Sequence, residues 1–162
     1  MTIERTLVVL KPDALFRGLV GRIVQRLEDA GLKIVALRLT QADDALARAH
    51  YADLEARIGT AAFEAVCRYL TAGPVVAIAI EGDGAVAVVR KLVGATFPSD
   101  AAPGTIRGDL CHQGRRQPGE GAAVFNLVHA SGSPDEAQQE LSLWFADTEL
   151  FSYNRLDEAW TL

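Results

Sequence analysis

The sequence predicts an α+β domain of the ferredoxin-like type, in which helices pack on a four-stranded antiparallel sheet. Short apolar runs at residues 6–10, 33–39, 75–80 and 124–129 predict the four strands. Segments with helical spacing lie between them, so the chain divides into two βαβ-like halves. We find no internal repeat or long linker, and 162 residues fit one domain, 1–162.

Four segments between the strands place apolar residues at helical spacing, and these predict helices at residues 18–30, 42–57, 61–71 and 84–93. A last helix is predicted at 134–145. Ser133 is its cap, Pro134 takes the first helical position, and Glu136 follows three residues after the cap. Residues 94–121 are predicted to be rich in loops.

Composition excludes several classes of protein. The net charge of −5 argues against a general nucleic-acid binder, which needs a basic surplus to neutralise phosphates. Cys67 and Cys111 are too far apart for a C-x-x-C zinc site and are expected to be simple thiols. The N-terminal apolar run is only four residues, and no stretch approaches the roughly 20 residues of a membrane span. We therefore expect a cytoplasmic protein.

The best candidate for a reactive side chain is His129, one of three histidines with His50 and His112. It ends an apolar strand and precedes the small, polar run Ala-Ser-Gly-Ser, a place where a rigid sheet presents a side chain to a cleft. A partly buried structural histidine fits the same pattern equally well.

Glu140 lies at the edge of the apolar face of the last predicted helix. A carboxylate there needs a partner or a cleft, and one bonded to a histidine ring nitrogen would leave the other nitrogen as a nucleophile. A solvated residue at the flank of the helix is the alternative.

Phosphate-binding loops of the types G-x-x-x-x-G-K-[ST] and G-x-G-x-x-G are absent from the sequence. Cations for a phosphate site would have to come from scattered positions such as Lys11, Arg90 and Arg107. Each of these alone is more often a solvated surface charge.

Taken together, these residues resemble the nucleoside diphosphate kinase family. The likeness extends through nearly the whole chain and includes NLVHAS, which matches the family's catalytic N-x-x-H-[GA]-S signature. Further matching segments are ERTLVVLKPDA, GLVGRIVQRLEDAGLKIVALRL, HYADL, GPVVAIAIEG, VRKLVGAT, PGTIRGD and EAQQELSLWF.

The resemblance implies a ping-pong reaction, in which a nucleoside triphosphate phosphorylates His129 and a nucleoside diphosphate then collects the phosphate. It implies that Ser131 and Glu140 support His129, Glu140 through a ring nitrogen, and that Tyr51 lies beside it.

The resemblance also implies the nucleotide contacts. Lys11 reaches the sugar hydroxyl and the transferring phosphate, and Asn126 binds the sugar hydroxyl. Arg90, Thr96 and Arg107 hold the distal phosphates.

A Mg²⁺ ion held mainly by nucleotide phosphates and water is implied, with no dedicated protein ligand. Substrates are expected to include ATP, ADP, GTP and GDP, with broad base specificity because stacking accepts any base. The family forms hexamers or tetramers built from dimers, and the tail with Trp160 suits a contact between subunits.

The sequence departs from the family pattern at four places. Residues 56–66 are about three residues longer, which puts Ala62 where the base-stacking aromatic is usual and makes Phe63 the neighbouring candidate. About eight extra residues lie between Arg107 and Asn126, including GRRQPGEG. Finally, Ala130 replaces a commoner Gly, and a Gly replaces a common Asp at position 132.

Two alternatives remain. One is a catalytically weak nucleotide-binding scaffold, whose altered loops would serve a partner. The other is a nucleic-acid module, which the acidic charge and the lack of clustered sheet aromatics disfavour.

Overall fold

Four strands form one antiparallel sheet in the order β2-β3-β1-β4. The computed structural model of the protein describes residues 2–113, 123–156 and 158. The strands are β1 (Ile3–Leu10), β2 (Lys33–Thr40), β3 (Val75–Asp83) and β4 (Val128–Ala130). This architecture confirms the predicted ferredoxin-like fold. The predicted loop at 114–121 and Trp160 lie outside the described residues.

The described helices lie in the connections between strands, except for the last helix, which follows β4. They are α1 (Pro12–Phe16), α2 (Val20–Asp29), α3 (Asp44–His50), α4 (Leu54–Ile58), α5 (Thr60–Thr71), α6 (Ala85–Val93), α7 (Ile106–Leu110) and α8 (Pro134–Trp144). Short 3-10 turns occur at Pro98–Asp100 and Asp147–Glu149. Among the described helices, none has the length and apolar character needed to cross a bilayer.

Both faces of the sheet are buried, which explains the unbroken apolar run in β1. Successive side chains of a strand point to opposite faces, so Leu7 and Val9 enter one core and Val8 and Leu10 enter the other. Helices α2 and α6 cover the second face, and α3, α5 and α8 cover the first. The two cores hold β1 rigidly between them, and its carboxyl end delivers Lys11.

Three predicted elements were wrong in extent. The helix predicted at 42–57 is broken, because the chain turns at Tyr51 and buries that ring in the core before α4 begins. The strand predicted at 124–129 pairs only over β4, since Leu127 has a φ of 67° that no regular strand accepts. The segment predicted as loop-rich, 94–121, contains α7.

The predicted start of α8 is confirmed. The Ser133 hydroxyl accepts a hydrogen bond from the backbone N–H of Glu136 at 3.2 Å, and Pro134 occupies the first turn. This cap fixes where the helix begins after β4. It therefore also fixes which of its side chains face the sheet beside His129.

Candidate active site

A kink at Leu127 shapes the approach to β4. Its backbone lies in the left-handed region, which L side chains rarely adopt. Two hydrogen bonds with the segment that follows β1 hold it there, one with Lys11 and one with Asp13 in α1. Asp13 Oδ2 accepts from Leu127 N at 3.1 Å, and Lys11 N donates to Leu127 O at 2.8 Å. The kink ties the Asn126 backbone to the chain that carries Lys11.

Three of the predicted residues meet at this kink. Lys11 Nζ donates to Asn126 Oδ1 at 2.8 Å, and Asn126 Nδ2 donates to the backbone oxygen of Thr96 at 2.8 Å. Asn126 is buried, while the Thr96 side chain is exposed. The amide therefore fixes the lysine and the loop after α6 relative to each other.

Lys11 is an unusually buried lysine, only 8% exposed. Its ammonium lies 5.5 Å from the centre of the Tyr69 ring. The pKa of Lys11 is lowered to about 7, first by burial and then by the nearby Arg107 charge, while Asp13 acts in the opposite direction. An anion placed at this ammonium would favour its charged form.

Arg107 is buried and is bonded to backbone carbonyls. Its guanidinium donates to Gly94 O and Ala95 O at 3.0 Å each, to Asn126 O at 3.1 Å and to Val128 O. Burial and the neighbouring Arg90 lower the pKa of Arg107 to about 10, so it stays charged at neutral pH. Arg107 thus joins the loop after α6 to β4 and places a fixed positive charge there.

His129 lies in β4 with its side chain 15% exposed. Its Nε2 is 2.7 Å from Glu140 Oε1, although the carboxylate oxygen lies off the axis of the N–H bond. Glu140 Oε2 accepts a hydrogen bond from the Ser131 hydroxyl at 2.6 Å. Ser131 Oγ in turn accepts from the backbone N–H of Leu7 at 3.2 Å. A chain of contacts therefore runs from β1 to the imidazole.

The electrostatic surroundings keep the His129 ring neutral. Burial, followed by the charges of Lys11, Arg107 and Arg90, lowers the pKa of His129 to about 3. A neutral imidazole carries one proton, and the contact with Glu140 assigns it to Nε2. The lone pair on Nδ1 is then available as a nucleophile at neutral pH.

His50 is a site residue that the sequence reasoning missed. Its ring packs against His129 with centroids 4.3 Å apart, and the Trp144 indole N–H donates to His50 Nδ1 at 3.2 Å. Burial lowers the pKa of His50 to about 3, with a further contribution from His129. Its position directly before Tyr51 in the matched HYADL segment was the available signal.

Tyr51 and Arg90 lie beside His129 in different ways. The Tyr51 ring centre is 6.1 Å from that of His129, and its buried hydroxyl makes no hydrogen bond to any described residue. Burial raises the pKa of Tyr51, so the hydroxyl keeps its proton. Arg90 Nη1 approaches Ala130 O at 3.4 Å, and the residue is otherwise exposed.

Phe63 is placed differently from the prediction. The side chain faces inward from α5, is 5% exposed, and packs in the same core as Tyr51 and Cys67. Its ring also lies under the guanidinium of Arg48, 5.6 Å from the centroid. This buried placement does not agree with the predicted stacking of a nucleotide base on Phe63. The other predicted residues converge on one site, and their roles toward a nucleotide stay predictions.

Within the described residues, one group of side chains has the spacing of metal ligands: His50, His129 and Glu140, whose ligand atoms lie within 4.8 Å of one another. Two imidazoles and one carboxylate suit zinc or copper, whereas Mg²⁺ prefers oxygen ligands and retains water. This group therefore does not have the ligand chemistry of a Mg²⁺ site.

Comparison with known proteins agrees with this geometry. The family model described as nucleoside diphosphate kinase matches residues 4–150. The nucleoside diphosphate kinase of Pyrococcus furiosus is 48% identical over 93% of this chain and 88% of its own length. That of Archaeoglobus fulgidus is 46% identical over 97% of this chain and 96% of its own.

Solved structures give the same result. A transition state mimic of the Borrelia burgdorferi nucleoside-diphosphate kinase with bound vanadate and ADP has a TM-score of 0.94 at 38% identity, covering 98% of this chain and 96% of that one. A Halobacterium salinarum nucleoside diphosphate kinase in complex with CDP has a TM-score of 0.86 at 42% identity, covering 98% of each chain. The chain belongs to the nucleoside diphosphate kinase family.

Proposed function

We propose that this chain transfers the γ-phosphate of a nucleoside triphosphate to a nucleoside diphosphate through a phosphohistidine at His129. The observation that carries the proposal is a neutral imidazole backed by a carboxylate at Nε2 and surrounded by three cations. The Nδ1 lone pair attacks the γ-phosphorus, the bond to the β–γ bridging oxygen breaks, and the diphosphate leaves. A terminal oxygen of a second diphosphate then attacks the phosphohistidine, and the N–P bond breaks.

Charge stabilisation is the main contribution of the protein in this proposal. Phosphoryl transfer spreads negative charge over the moving group, and Lys11, Arg90 and Arg107 all lie close enough to His129 to lower its pKa. The Tyr51 hydroxyl, which has no hydrogen-bond partner in the described part of the chain, is a donor for the same group. Lys11 and Asn126 bind the sugar hydroxyl, since they supply an ammonium and an amide 2.8 Å apart.

Glu140 acts on the other side of the ring. When Nδ1 bonds to phosphorus, the imidazole gains positive charge and its Nε2–H becomes a stronger donor. The Glu140 carboxylate at 2.7 Å stabilises that charge, and Ser131 keeps the carboxylate oriented. Burial raises the pKa of Glu140, an effect that the neighbouring His50 and Ser131 partly oppose.

Mg²⁺ is proposed to arrive with the nucleotide, bound by phosphate oxygens and water, and to neutralise part of the phosphate charge. Broad base use is supported by the two relatives, solved with ADP and with CDP, a purine and a pyrimidine nucleotide. A homo-oligomer, either a hexamer or a tetramer, is proposed on the family resemblance. A cytoplasmic location and the lack of stable nucleic-acid partners are proposed on the composition and the net charge of −5. Light scattering of the purified protein tests the subunit number.

Labelling with ATP carrying a radioactive γ-phosphate tests the proposal. Wild-type protein should acquire acid-labile label and release it as triphosphate when a diphosphate is added. His129→Ala should acquire none, whereas the control His112→Ala, an exposed histidine, should label normally. Label retained in His129→Ala would move the nucleophile elsewhere. Nucleotide binding without any labelling of the wild type would instead favour the scaffold alternative.

A further inference from the structure

The aromatic side chains around the Lys11–Asn126 pair differ sharply in exposure. Three of these aromatic residues belong to the core and are almost fully buried: Tyr51 is 8% exposed, Phe63 5% and Tyr69 7%. Phe125, directly before Asn126, is 44% exposed. Among the described aromatic residues at the site, Phe125 therefore has the ring most open to a ligand.

The Phe125 ring is also held in place. It meets the Tyr69 ring edge-on, with centroids 4.8 Å apart and planes at 88°. The backbone is fixed on both sides, since Phe125 N donates to Gln113 Oε1 at 2.6 Å and Cys111 Sγ donates to Phe125 O at 3.0 Å. An exposed aromatic ring with this support loses little conformational freedom on binding a ligand.

The position of Phe125 matches one end of a bound nucleotide. Tyr69 contacts the Phe125 ring and also lies 5.5 Å below the Lys11 ammonium. If the terminal phosphate lies at His129 and the sugar at the Lys11–Asn126 pair, the base extends from the sugar toward residue 125, which directly precedes Asn126. This step rests on the proposed function.

We propose that the exposed face of Phe125 is the platform on which the nucleotide base stacks in this chain, a role that the buried Phe63 cannot take. Every base has a π face, so such a platform binds purines and pyrimidines alike and favours the larger purine ring.

Calorimetric binding of ADP, CDP and inorganic tripolyphosphate tests the platform. Phe125→Ala should weaken ADP binding about 10-fold and CDP binding less, and leave tripolyphosphate, which has no base, unchanged. Phe125→Tyr keeps a ring and should restore ADP affinity. Phe151→Ala is the matched control, because Phe151 is an exposed phenylalanine bonded to β2 at the opposite edge of the sheet, and it should change nothing.

Two outcomes would contradict the proposed stacking of the base on Phe125. Unchanged ADP affinity in Phe125→Ala would show that the ring makes no contact with the base. An equal loss for ADP and tripolyphosphate would show that the ring only supports the cations through Tyr69. Both are binding measurements, so they remain distinct from a failure of His129 to be phosphorylated, which the labelling experiment reports separately.

Discussion

Binding of ADP at pH 8 should draw about one proton from solution, and the expected acceptor is Lys11. In the free protein, burial and Arg107 lower the pKa of Lys11 to about 7, so at pH 8 only about a tenth of the molecules carry the ammonium. Bound phosphate groups favour the charged form and return the pKa toward the ordinary lysine range. The expected uptake is therefore about 0.9 proton at pH 8 and about 0.1 at pH 6.

Titration calorimetry in buffers of low and high ionisation enthalpy measures this uptake directly. At pH 8 the terminal phosphate of the nucleotide is already ionised, so the proton uptake by Lys11 can be distinguished from uptake by the nucleotide. His129 starts from a pKa of about 3 and would need a rise of about five units to contribute at pH 8. Lys11→Met should abolish the uptake, whereas His129→Gln should retain it.

A wild-type uptake below about 0.2 proton at pH 8 would show that Lys11 is already charged in the free protein, against this prediction. The same uptake in Lys11→Met as in the wild type would place the proton on another group.

Three further substitutions test the supporting contacts. Glu140→Gln keeps the side-chain volume but removes the charge at His129 Nε2, and should slow phosphorylation in a single-turnover assay about 10- to 100-fold with little change in nucleotide affinity. In Arg107→Lys the shorter ammonium group cannot bind all the carbonyls that the guanidinium binds, so the free energy of unfolding measured by urea titration should fall by about 3 kcal/mol. Unchanged stability would argue against those bonds. Ser133→Ala removes the cap of α8 and should cost about 1 kcal/mol by thermal unfolding while turnover stays normal; a large loss of turnover would contradict a purely structural role.

Much of the fold was predictable because local patterns and tertiary packing agree. The apolar run of β1 indicates a strand buried on both faces, and Lys-Pro at its end stops it where Lys11 is needed. Ser133, Pro134 and Glu136 mark the start of α8 through contacts within four residues of one another. The NLVHAS segment identified Asn126, His129 and Ser131 by resemblance.

Other features depend on contacts between distant segments, and no local pattern contains them. The kink at Leu127 needs Asp13, and the turn after His50 depends on the burial of the Tyr51 ring against α5. The inward orientation of Phe63 follows from which face of α5 meets the sheet, and the placement of the exposed Phe125 depends on contacts with Tyr69, Cys111 and Gln113.

Local patterns and motifs were enough to predict the strand and helix types, the family resemblance and most of the side chains at the site. Their chemistry depends on the tertiary structure, because pKa values respond to burial and to charges more than 90 positions away in the chain, as with Arg107 at Lys11 and Lys11 at His129. The sequence around Lys11 and His129 does not indicate their lowered pKa values. These arise only when folding excludes water from both side chains and brings positive charges close to them.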